Sequence, residues 1–296
     1  MWPDQLIRQA ENDTTKSRFL RVAVVQFTVS GNIGRNFRSM TGWMERAARA
    51  GAELVQFPET ALTGYYRVHV KDISAIDRES LAKHDHELRR RARELGIWLA
   101  YGSTHFEPGV EKPFNSLYLV NPDGEEFCRY DKVFLTDTDT QAYSPGNRLT
   151  VARIKDFRVG LSICFDMRFP ELYRRYMDAN VNLMLVSSYQ AGGERARHMR
   201  TVAPSTLITR AAENGFYLCC SNTSEKPSWH EAMVISFNGV VKAAARRHRA
   251  SMALAELDSR DYEPFTNYIR KTARHVARKT HPVSGERLIR EVEEVF

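Results

Sequence analysis

Three residues of reactive type stand at the ends of apolar runs in this chain. Glu59 closes LVQFPE, Lys132 closes FCRYDK and Cys164 closes VGLSIC. Each has an ordinary explanation when taken alone. A glutamate after a strand caps or solvates it, a lysine there faces water, and a cysteine in an apolar strand is usually a small core residue. Together they fit one chemistry. A thiol attacks as the thiolate, which is a few per cent of a free cysteine at neutral pH. A carboxylate beside it can take the proton and later return it to a departing amine. An ammonium can favour the thiolate and then meet the oxyanion that forms on a carbonyl substrate. No histidine is required. His198 and His230, the nearest candidates for a Cys–His pair, follow no strand-end pattern.

These residues need a sheet to bring them together, and the flanking sequence predicts one. LRVAVVQFTV (20–29) is nearly continuous and apolar, as in a strand covered on both faces. A helix follows with Phe37, Met40, Met44 and Ala47/Ala48 at helical spacing, and Gly51 as a stop. ELVQFPE, a second helix ending before Gly96, and IWLAYGSTHF complete a β-α-β-α-β pattern, which argues for a layered α/β fold. FNSLYLV and EEFCRYDKV read as a hairpin around Asp123–Gly124. LTDTDTQAYSPGN reads as loop. VGLSIC, VNLMLVSSY, FYLCCSN, EAMVISFNG and VVKAAA read as further strands, with helices at PELYRRYMDA and HMRTVAPSTLITRAAENG. Sites in open α/β sheets gather at the carboxyl ends of strands, where the three reactive residues fall.

Composition narrows the class. The chain has 296 residues, 43% hydrophobic and 27% charged, enough to bury a core without staples. No apolar run approaches the ~20 residues of a membrane span. The polar start lacks the apolar centre of a signal peptide, so the expected location is cytoplasmic. Cys128, Cys164, Cys219 and Cys220 include no C-x-x-C and are expected as reduced thiols, with Cys219 and Cys220 in the core. No H-E-x-x-H or Cys/His cluster suggests a metal, and no cofactor is expected. Net charge is +7. Part of the excess lies late, where Arg270, Arg274 and Arg278 share one helical face. That face is either a patch for an acidic or nucleic-acid partner, or a solvated face or subunit contact. The absence of any nucleic-acid motif favours the second.

Five separated motifs resemble the nitrilase, or carbon–nitrogen hydrolase, superfamily in the right order: FPETALTGY, YDKVFL, YSPGN, GLSICFDMRFPE and TRAAENGFYLCCSN. The resemblance covers roughly residues 21–258. It implies an α-β-β-α sandwich that pairs into a four-layer-forming homodimer or higher oligomer. It places the family's Glu–Lys–Cys triad on Glu59, Lys132 and Cys164, with the Lys132 ammonium and the Phe165 backbone N–H as oxyanion donors. Many members carry a second glutamate six positions before the proline of the YSPGN motif. Asp139 stands there, with Asp137 as a neighbouring alternative. The Phe-Asp-Met-Arg after Cys164, in place of the Trp-Glu of true nitrilases, resembles the amidase and carbamoylase branches. His230–Glu231–Ala232 stands where related hydrolases often read Gly-His-Ser. The substrate class implied is a small linear amide or N-carbamoyl compound. Nitrile hydrolysis or acyl transfer by the same triad, or a catalytically weak binding subunit with a basic tail, are the alternatives. Arg168 could hold a substrate carboxylate, or pair with Asp166 or Glu171 to fix the helix start. Tyr65, Tyr189 and Trp229 are candidates for the pocket wall. Residues 1–19 are expected as a lead-in, 20–261 as the hydrolase domain, and 262–296 as a basic tail packed on it or on a partner subunit.

Overall fold

The computed structural model describes residues 7–10, 18–192, 196–261 and 264–277. The strands are β1 (Ile7–Ala10), β2 (Phe19–Gln26), β3 (Leu54–Gln56), β4 (Trp98–His105), β5 (Phe114–Val120), β6 (Glu126–Asp131), β7 (Leu149–Ile154), β8 (Phe157–Ile163), β9 (Leu183–Ser187), β10 (Tyr217–Ser221), β11 (Met233–Ile235), β12 (Val241–Ala244) and β13 (Ser251–Asp258). The helices are α1 (Ile33–Arg49), α2 (Arg78–Leu95), α3 (Asp137–Thr140), α4 (Pro170–Asp178), α5 (Met199–Asn214) and α6 (Pro264–Ala277). One sheet runs β13-β2-β3-β4-β5-β6 and the other β1-β7-β8-β9-β10-β11-β12.

Alternation along β2 explains the layering. Leu20, Val22 and Val24 pack into the core shared with β7–β10, whereas Ala23 and Val25 pack with Met40, Met44 and Leu88 of α1 and α2. Both faces of the strand are therefore buried, and its sequence is accordingly apolar throughout. Helices α4 and α5 cover the outer face of the second sheet, through Tyr173, Met177, Leu207 and Ala211. The result is the α-β-β-α sandwich. Asn32 and Asp77 cap α1 and α2 through side-chain oxygens, and Gly96 ends α2 in the left-handed conformation.

Three local readings are corrected. The run LTDTDT is not all loop: Thr136 caps the single helical turn α3 in a reciprocal capping box with Asp139. β3 pairs with β4 only from Leu54 to Gln56. Pro58, which has no N–H to donate, ends the regular strand before Glu59. β7 and β13 were not foreseen, and β13 pairs antiparallel with β2 along its whole length.

The late basic face turns inward. Arg270 is 9% exposed and donates to the Gly215 and Val181 carbonyls at 2.7 and 2.9 Å. Arg274 donates to the Met177 carbonyl in the last turn of α4. Cations are favoured at these carbonyl-rich helix ends. Arg270 and Arg274 therefore anchor α6 to the sandwich, so for these two neither the patch for an acidic or nucleic-acid partner nor the favoured solvated face or subunit contact is what is found; Arg278 lies outside the described residues. No described helix is long and apolar enough to cross a membrane.

Candidate active site

Glu59 is delivered by the segment after β3. That segment lies flush against β4 because Gly102 has no side chain: a Cβ there would sit 2.3 Å from the Thr60 nitrogen. Two serines of the opposite sheet then fix it. Ser187 and Ser221 both donate to the Phe57 carbonyl, at 2.8 and 2.7 Å. Glu59 itself is fully buried. Its Oε1 accepts from Lys132 Nζ at 2.7 Å and Asn115 Nδ2 at 2.8 Å. Its Oε2 accepts from the Tyr189 backbone N–H at 2.9 Å. Lys132, just beyond β6, also donates to Asp139 Oδ2 at 2.7 Å. The Thr136 N–H donates to that same oxygen. Asp139 is buried and Asp137 is exposed, so Asp139 is the carboxylate that reaches the lysine.

Cys164 follows β8 with φ at 45°, a left-handed conformation that non-glycine residues rarely adopt. The sharp turn sets the thiol at the wall of a cavity of about 410 Å³. The thiol lies 3.9 Å from the Tyr189 carbonyl, with the Glu59 and Lys132 charges close enough to act on it. Asp166 holds this turn against the other sheet. Its carboxylate accepts from the Ile163 and Phe134 N–H groups, each at 2.9 Å, and from the Tyr130 hydroxyl at 2.8 Å. Burial pushes Asp166 up to about 6, against the pull of these donors. Replacing Asp166 with Asn places an NH2 against N–H or O–H donors whichever way the amide turns. The expected cost is about 2–3 kcal/mol of stability, read by chemical denaturation, with a loss of turnover as the Cys164 turn loosens.

The charges define the resting state. Burial, then the neighbouring Glu59 charge, pushes the Cys164 thiol well above its ordinary value, and Lys132 offsets only part of this. Burial also raises Glu59, with Lys132 pulling back. Burial alone would lower Lys132, but Glu59 and Asp139 hold it well above the usual ammonium value. Cys164 is thus held as the thiol and Lys132 as the ammonium, with the Glu59 carboxyl group beside them.

The cavity gathers the other expected residues. Tyr65, Phe165, Arg168, Tyr189 and Trp229 all line it with Cys164. Arg168 is exposed and pairs with neither Asp166 nor Glu171 among the described residues; its guanidinium lies 3.9 Å from Met199 Sδ. The helix-start alternative for Arg168 is therefore not what is found. His230 is buried away from this cluster, and burial lowers it to about 4. Cys219 and Cys220 are in the core. Among the described residues no group of three or more His, Cys, Asp or Glu could hold a metal ion.

Sequence reasoning missed Asn115, Asp166, Ser187, Ser221, and the pair His69–Glu225. His69 Nδ1 accepts the Tyr65 N–H at 3.0 Å, and its Nε2 meets Glu225 at 2.9 Å. Glu225 also accepts from the Tyr189 hydroxyl at 2.6 Å. The only available signal was positional: Asp166 follows the thiol directly, in the polar stretch after the strand.

Comparison with known proteins places this geometry. The chain is 27% identical over 272 residues to the deaminated glutathione amidase of Rattus norvegicus, covering 84% of this chain and 80% of that protein. It is 28% identical over 260 residues to the nitrilase and fragile histidine triad fusion protein NitFhit of Caenorhabditis elegans. That match covers 80% of this chain but 56% of the fusion protein, so this chain corresponds to little more than half of its length. A mutant of the amidase from Nesterenkonia sp. AN1, in complex with butyramide, has the same fold: TM-score 0.75 at 23% identity, over 89% of this chain and 97% of that one. The carbon–nitrogen hydrolase family model matches residues 21–266. The chain belongs to the carbon–nitrogen hydrolase family.

Proposed function

We propose that the protein hydrolyses a small linear amide or N-carbamoyl compound through a thioester on Cys164. The observation that carries this reading is a buried, hydrogen-bonded Glu59–Lys132–Asp139 cluster whose Glu59 and Lys132 charges act on the Cys164 thiol at a cavity wall. Relatives named as amidases support the choice of amides over nitriles.

In acylation, Sγ attacks the carbonyl carbon as Glu59 takes the thiol proton. The oxyanion meets the Lys132 ammonium, two of whose three N–H groups are held by Glu59 and Asp139, and the Phe165 backbone N–H. Glu59 then gives its proton to the nitrogen, the C–N bond breaks and ammonia or an amine leaves. Water enters, Glu59 takes its proton, oxygen attacks the thioester, and the C–S bond breaks. The proton returns to sulfur, so the sum is amide plus water to acid plus amine. Asp139 acts through Lys132 as a positioning residue. Arg168, at the cavity mouth, is suited to a terminal carboxylate.

The enzyme acts as a homodimer or larger homo-oligomer in the cytoplasm, without a resident cofactor or a nucleic-acid partner. The sequence expectations and the family pattern support this part. The test is a panel of primary amides, carbamoyl amines, carbamoyl amino acids and nitriles, read by ammonia release and by the mass of the intact protein under rapid quench. Turnover of an amide or carbamoyl compound, with an acyl mass on Cys164, is expected. Turnover confined to nitriles overturns the substrate class. Hydrolysis without acylation overturns the mechanism.

A further inference from the structure

From the cavity beside Cys164 we infer that the substrate is the amide of an acid with an apolar, ring-sized body, carrying at most one anionic group at its far end. This rests on the hydrolase reading above and narrows its substrate. Three aromatic rings and two thioethers dominate the wall: Tyr65, Tyr189, Trp229, Met167 and Met199, with Phe165 beside the nucleophile. Among the described lining residues the one charged side chain is Arg168, and it is exposed. A carboxylate placed against this apolar wall, away from both Lys132 and Arg168, would lose its water and gain no cation among the described residues. A hydrocarbon body there loses only apolar hydration, which favours it.

The wall is also rigid. Tyr65 and Tyr189 stack with centroids 4.5 Å apart and planes at 15°. One chain of hydrogen bonds fixes both. Glu225 receives the Tyr189 hydroxyl and His69 Nε2–H, while His69 Nδ1 receives the Tyr65 N–H. Because Nδ1 is an acceptor in this chain, His69 is held as the Nε2–H tautomer. The flat stacked face is therefore in place before substrate arrives, and it suits an aromatic or branched hydrocarbon group. Acetamide or propionamide would leave most of about 410 Å³ unfilled.

The test compares kcat/KM for acetamide, butyramide, phenylacetamide and succinamate on the full-length enzyme. Phenylacetamide is expected to exceed acetamide by about 30-fold or more, from several buried carbons at ~4-fold each, and to exceed succinamate. Trp229→Leu is expected to lower the phenylacetamide-to-acetamide ratio about tenfold. Glu225→Leu lies outside the cavity lining and is expected to lower that ratio severalfold, because His69 Nε2–H and the Tyr189 hydroxyl both lose their acceptor. Succinamate ahead of phenylacetamide, or ratios unchanged in both variants, overturns the substrate class alone. No turnover of any amide, with Cys164 unreactive toward iodoacetamide, overturns the hydrolase reading and this inference with it.

Discussion

Cys164→Ala is expected to lower hydrolysis of every substrate by at least about 10⁴-fold, because the covalent route disappears and only binding and oxyanion donors remain. Folding is expected to be unaffected. Alanine meets the same left-handed backbone at φ 45° as cysteine does, and it leaves no partner of consequence: the thiol's contact with the Tyr189 carbonyl is long, at 3.9 Å. Substrate should still bind, since the cavity walls are intact, so the variant is suited to trapping a complex. The check is kcat/KM beside a thermal melt and intact-protein mass after quench. The wild type gains one acyl group and the variant none. Cys219 and Cys220 are fully buried, so neither accounts for the added mass. Activity above one-thousandth of wild type would remove Cys164 from the mechanism.

Glu59→Gln carries the second large effect, a loss of about 10³-fold or more in kcat/KM. Both oxygens of Glu59 are surrounded by donors: Lys132 and Asn115 on one, the Tyr189 N–H on the other. A glutamine must present its NH2 to one of these sides, which also costs about 1–3 kcal/mol of stability. Circular dichroism at the assay temperature separates the two effects, and Glu59→Asp, which keeps the charge, should fall between them. The wild-type profile gives an independent reading. Burial raises Glu59 above its ordinary value. Its proton is therefore held to higher pH than that of a solvated glutamate near 4.3. A protonated Glu59 cannot accept the thiol proton, so kcat/KM falls with acidification, with a midpoint above that value. An acid limb at or below it, or a glutamine variant retaining a tenth of the activity, would assign the base elsewhere.

The candidate reacting groups Glu59, Lys132 and Cys164 stand out in the sequence because each is the wrong type for its place, interrupting an apolar run at a strand end; Asp139 stands out only through the family resemblance, by its offset from Pro145. The first sheet was legible from its amphipathic helices and buried strands. β13 was not, because Ala253 and Ala255 give its alternation little contrast and its partner β2 lies more than two hundred residues away. β7 was not read as a strand, although LTVARI carries the β-branched Thr150, Val151 and Ile154. The supporting polar groups had no signal of periodicity. Asn115 points from a strand at a buried carboxylate, and Ser187 and Ser221 share a carbonyl of the facing sheet. Such bonds join residues whose separation in sequence carries no rule. Glu225 and His69, 156 positions apart, are the same case.

The two serines on the Phe57 carbonyl have a mechanical meaning. Glu59 follows a strand of one sheet and Cys164 a strand of the other, so in the proposed mechanism proton transfer crosses the seam between them. Sliding of one sheet past the other by a fraction of an ångström lengthens that transfer directly, while leaving every strand paired. In that mechanism turnover is a strain gauge for the seam. It reports misalignment of two intact halves well before either half begins to unravel.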